Sequence, residues 1–151
     1  MGYSNDVYGV IAFFSREKEV INKNFEVLKS LSTDDPDSDY PWITSRMFNL
    51  DYQRYWGKIL IPFAANYKNL EDEWHLWIEK FESIINKMTW TYVEVHLHSE
   101  LLESYSYYWG LHLLSIDEIG KENNERNWEF SGSPRDLRPI LKEKGFLGWG
   151  V

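Results

Sequence analysis

Residues 89–98 read TWTYVEVHLH, and their alternation decides the fold. On an extended chain Thr91, Val93, Val95 and Leu97 point to one side, while Trp90, Tyr92, Glu94, His96 and His98 point to the other. A strand with one apolar and one mixed side belongs to a sheet covered on a single face. Residues 105–114 (YSYYWGLHLL) form a further strand, and the short linker at 99–104 makes a hairpin the natural connection. Upstream, Leu70, Trp74, Trp77, Ile78, Phe81, Ile84, Ile85 and Met88 recur at intervals of three and four behind Asn69 as a cap. This stripe is the side of an amphipathic helix that covers the sheet.

Working outward, residues 6–14 (DVYGVIAFF) are almost continuously apolar, as expected of a strand buried on both faces. Ser15 is placed to cap a helix whose stripe is Ile21, Phe25 and Leu28, flanked by Val20, Val27 and Leu31. The acidic segment 33–41 (TDDPDSDYP) ends it. Residues 42–50 read as a second strand and 56–63 as a third, with Pro62 marking that strand's end or a bulge. From 116 to 127 the chain turns polar. Ser133 and Pro134 are placed to start a last short helix, which Pro139 kinks or delays and Gly145 stops.

The order is therefore β-α-β-β-α-β, followed by an extra strand and a short helix. This is the pattern of an α+β fold of ferredoxin-like type, an antiparallel sheet with helices on one face and its first and third strands central. Residues 1–151 are expected to form one domain, with 116–151 packing on it as a C-terminal extension.

Composition narrows the functional classes. The chain has 151 residues, no cysteine and a formal charge of −8, with 8 Trp, 10 Tyr and 8 Phe. Thiol chemistry and cysteine-ligated metals are excluded. The densest basic group, Arg135, Arg138, Lys142 and Lys144, is interleaved with Asp136 and Glu143, so a nucleic-acid partner is not expected. No apolar stretch approaches the ~18–20 residues of a membrane span, and MGYSNDVYGV lacks the pattern of a secretory signal. A soluble protein of the cytoplasm, with no membrane association, is the expectation.

The mixed side of the two hairpin strands is the surface to suspect. Pairing apolar side with apolar side gathers Ser106, Tyr108, Gly110 and His112 with Tyr92, Glu94, His96 and His98, while a one-residue slip would displace His112. Histidines at i and i+2 can ligate a divalent ion, which makes His96, His98 and His112 metal candidates, but the HxH pattern is unspecific. No cofactor is implied: GxGxxG, GxxxxGK[ST], HExxH and GxSxG are all absent. A second candidate surface is the acidic segment, Asp34, Asp35, Asp37 and Asp39, with Tyr40 and Trp42 as ring-bearing anchors.

Two functional classes remain. An acidic, ring-rich domain without a reaction motif suits a non-catalytic protein-binding role toward a basic partner, because opposite charge speeds encounter and buried rings hold the complex. In overall character, though not in any motif, the chain is similar to bacterial immunity proteins that bind and neutralise basic nuclease toxins. The alternative is an enzyme acting on a small molecule, or with a divalent metal, whose Glu94, His96, His98 and Tyr108 work on the open face. A homo-oligomer could close two such faces over one pocket.

Overall fold

The computed structural model describes residues 2–32, 40–51, 54, 55, 57–111 and 128–146. Their elements run β1 (Ser4–Phe14), α1 (Lys18–Lys29), β2 (Arg54–Tyr55), β3 (Lys58–Lys68), α2 (Trp74–Ile85), β4 (Tyr92–Ser99), β5 (Ser104–Leu111), β6 (Trp128–Gly132) and α3 (Arg138–Glu143). The chain is an α+β protein. Its strands form one antiparallel sheet in the order β2-β3-β1-β4-β5-β6, and β2 contributes only two residues. No helix among the described residues is long and apolar enough to cross a membrane.

One continuous core lies between the sheet and the helices. Val7, Ile11 and Phe13 of β1, Ile59 and Ile61 of β3, Val93, Val95 and Leu97 of β4, and Tyr107 and Trp109 of β5 supply the sheet's side. Ile21 and Leu28 of α1 and the Trp74, Trp77, Ile78, Phe81 stripe of α2 supply the other. The rings stack in a column: Trp74 on Trp77 at 4.9 Å, Trp77 on Phe81 at 4.9 Å, and Phe81 against Trp109 at 5.6 Å. Each such pair adds about 0.5–1.5 kcal/mol beyond the area it buries. From β6, Phe130 packs edge-on against Trp109 at 5.1 Å, so the last strand covers what would be an exposed end of this column.

Several local expectations need correction. Ser15 accepts a hydrogen bond from the Glu17 amide at 3.0 Å and shapes the turn before α1, but it does not cap the helix. Asn69 takes a left-handed φ of 55° and accepts from the Tyr3 amide, so it anchors the chain's beginning, and α2 is led in by a short 3-10 turn instead. Trp90 precedes β4 and is fully buried, with its indole donating to the Ile85 carbonyl at 2.9 Å. The expected second strand at 42–50 is a 3-10 turn over Ser45–Met47 with a single bridge, Phe48 to Phe63. Its apolar residues are buried one by one against the outer edge of β3, as in the Phe48–Phe63 ring contact at 5.4 Å. The polar segment 116–127 lies outside the described residues.

Pro62 neither ends nor bulges β3. The Asn49 amide donates to the Pro62 carbonyl at 2.9 Å, so this residue's peptide groups face away from β1. Its missing N–H costs the β1 ladder nothing, and the strand runs on to Lys68 with Val10 opposite Pro62. β6 is a strand the sequence pattern did not announce. The last helix starts late, at Arg138, with Pro139 in its first turn where the absent N–H is harmless.

Candidate functional site

Among the described residues, no element covers the sheet face opposite the helices, called here the open face. Five large apolar residues are exposed among the described residues: Tyr8 (47%), Phe14 (53%), Leu60 (42%), Tyr108 (41%) and Leu76 (37%). The first four lie on strands β1, β3 and β5 and share the open face. Tyr8 and Phe14 alternate with the buried Val7, Ile11 and Phe13, so β1 is covered on one face only, against the expectation from its apolar run.

Register assembles the face row by row. Tyr8 stands beside His96 and His96 beside Ser106; Val10 beside Glu94 and Glu94 beside Tyr108; Asp6 beside His98 and His98 beside Ser104. The expected grouping of Tyr92, Glu94, His96 and His98 with Ser106, Tyr108 and Gly110 is therefore met. Gly110 leaves room for the Tyr108 ring, which lies where a Cβ would come to 2.5 Å.

Neighbouring side chains fix these groups. Tyr8 stacks on His96 at 5.3 Å, and Tyr92 lies nearly parallel to Tyr108 at 6.3 Å. Lys58 places its ammonium 5.1 Å from the centre of the Tyr92 ring and 5.7 Å from that of Phe14, a cation held on the rings' negative faces. His96 Nδ1 meets Ser106 Oγ at 2.9 Å, and His98 Nδ1 meets Ser104 Oγ at 2.9 Å. Both imidazoles are thereby oriented by hydroxyls rather than by carboxylates. Among the described residues no group of three His, Asp or Glu side chains is placed to hold a metal ion.

The second candidate surface is described in part. Asp34, Asp35, Asp37, Asp39 and also His112 lie outside the described residues. Tyr40 and Trp42 are not on the open face. They sit at the outer edge of β3 with their rings edge-on at 5.0 Å, and together with Thr44, Ala65, Asn66, Tyr67 and Lys68 they line a groove of about 360 Å3. The Tyr67 hydroxyl donates to the Trp42 carbonyl at 2.6 Å and accepts from the Trp77 indole at 3.1 Å, and burial pushes its pKa up to about 12. Sequence reasoning missed Tyr8, Phe14 and Leu60 on the open face. The available signal was indirect: a strand placed beside 92–98 must share its uncovered side.

Comparison with protein-family models, with curated proteins and with solved structures finds no match to this chain.

Proposed function

We propose that this chain is a non-catalytic protein-binding domain whose contact surface is the helix-free sheet face. The observation that carries the reading is the gathering of Tyr8, Phe14, Leu60 and Tyr108, four of the five exposed large apolar residues among those described, on that one face. Rings with polar tips supply large contact area at little conformational cost and are enriched at interface centres. The flanking Asp6, Glu94, His96, His98 and Glu129 form a polar surround. A formal charge of −8 favours a basic partner, whose encounter it accelerates and whose binding weakens with salt. A basic toxin neutralised by an immunity-type protein is the instance this chemistry suits best, and the cytoplasmic location expected from the sequence belongs to the same proposal.

The fold reading extends in parallel. We take β1-α1-β2-β3-α2-β4 as a ferredoxin-like unit, supported by the strand order β2-β3-β1-β4 and its antiparallel pairing, with β5, β6 and α3 added along the β4 side.

The test is affinity capture with the full chain from cells that make it, followed by Leu60→Asp and Tyr108→Asp variants. The expected result is a basic partner whose affinity falls about tenfold or more for each variant and falls again with added salt. A partner retained equally by both variants would place the contact elsewhere and overturn the reading.

A further inference from the structure

We propose that the outer edge of β3 is a second binding site, which takes an extended peptide segment of another protein as an added strand. The proposal goes beyond the open-face reading and stands independently of it. The Asn49 amide donates to the Pro62 carbonyl and the Tyr40 hydroxyl donates to the Lys68 carbonyl, so the even-numbered residues from 62 to 68 turn their peptide groups away from β1. Asn66 lies between them. Its own N–H and C=O point outward at an exposed position, without a protein partner among the described residues.

The outward peptide groups of Asn66, set between positions that Asn49 and Tyr40 already occupy, offer a short template for strand addition. Here it adjoins the groove lined by Tyr40, Trp42, Thr44 and Tyr67, whose volume of about 360 Å3 offers room for a large side chain. Peptide hydrogen bonds at Asn66 would set the register of the incoming strand, and the aromatic walls would select an apolar or aromatic side chain at one of its alternate positions. Lys68 at the rim favours an acidic neighbour in that segment.

The probe is a displayed library of random linear peptides panned against the full chain. Three variants read the outcome. Asn66→Pro removes the outward N–H at a position equivalent to Pro62, which the same strand already accommodates. Thr44→Phe fills the groove from an extended backbone position. Asn66→Ala removes only the side-chain bonds to Ser4, to Asp6 and to the Asn5 carbonyl.

The expected result is enrichment of peptides with alternating apolar residues. Their affinity should fall about tenfold in Asn66→Pro and in Thr44→Phe, and hold in Asn66→Ala and in the open-face variant Tyr108→Asp. Binding should also slow hydrogen exchange at the Asn66 amide. No enrichment, peptides that bind Asn66→Pro as well as the parent chain, or protection confined to other strands would each overturn the proposal. Loss of peptide binding in Tyr108→Asp alone would instead assign the peptides to the open face.

Discussion

Glu82 carries more of the C-terminal packing than its place on the rim of α2 suggests. Its carboxylate accepts from both terminal nitrogens of Arg135 and from the Trp109 indole, the latter at 2.8 Å. Arg135 in turn lies 4.6 Å over the Phe130 ring. Glu82 is largely covered and Arg135 is not, so the two ends of the ion pair are unequal. Glu82→Ala strands the buried Trp109 N–H and should cost about 1–3 kcal/mol, whereas Arg135→Ala leaves that bond intact and should cost less, about 0–1 kcal/mol. Urea titrations of the two variants check the ordering, and equal losses would show that the indole bond contributes nothing. Asn24 behaves similarly inside α1. Its side chain donates to the Thr89 carbonyl at 2.7 Å and accepts from the Thr89 amide at 2.8 Å, both buried. Asn24→Ala should lose about 1–3 kcal/mol, and Asn24→Leu should not recover it, because an apolar side chain replaces neither hydrogen bond.

At the scale of elements, what could be read from sequence followed from periodicity. The three-and-four spacing from Trp74 to Ile85 maps onto the buried stripe of α2, with Leu70 and Met88 buried just outside the helix, and the alternation around Val93, Val95 and Leu97 maps onto β4, because a core on one side imposes both periods. Residues 42–50 misled because apolar side chains that dock individually on a sheet edge have no period to betray them. β6 escaped because five residues whose Trp128 and Phe130 are only half-buried carry little pattern. α3 is the shortest α-helix among the described residues and depends on a local charge. Asp136 accepts from the Arg138 amide at 3.0 Å and from its guanidinium, which holds the carboxyl down at about 2 from its ordinary 3.8. A carboxyl depressed in the folded state contributes stability that is present above its unfolded pKa and lost as pH falls through the folded value. The urea midpoint of the parent chain should therefore drop between about pH 4 and pH 2 relative to Asp136→Asn. Parallel curves for the two proteins would contradict that link.

At the scale of the whole molecule, the open face was legible only in part. Alternation sorts Glu94, His96 and Tyr108 onto it, but the run at 6–14 hides Tyr8 and Phe14, because apolar residues on an uncovered face look the same in sequence as buried ones. A protein keeping such a face exposed must draw its stability from the other layer, and the C-terminal elements belong to that layer. Leu137 is fully buried in the same core as Trp77 and Val95, and the Tyr107 hydroxyl donates to the Pro134 carbonyl at 2.6 Å. The segment leading into α3 thus completes the core where β5 would otherwise present its rings to water. Leu137→Ala should cost about 2–5 kcal/mol, the range of a cavity in a packed interior, where a loosely attached tail would lose under about 0.5 kcal/mol. Because Trp74, Trp77, Trp90 and Trp109 are all buried, their fluorescence reports the core directly. In urea, tryptophan emission and far-ultraviolet circular dichroism should move together to the lower midpoint in one transition. Two separated transitions, with the tryptophan signal unmoved by the substitution, would mean that the C-terminal elements fold apart from the rest and that one cooperative core does not hold the sheet.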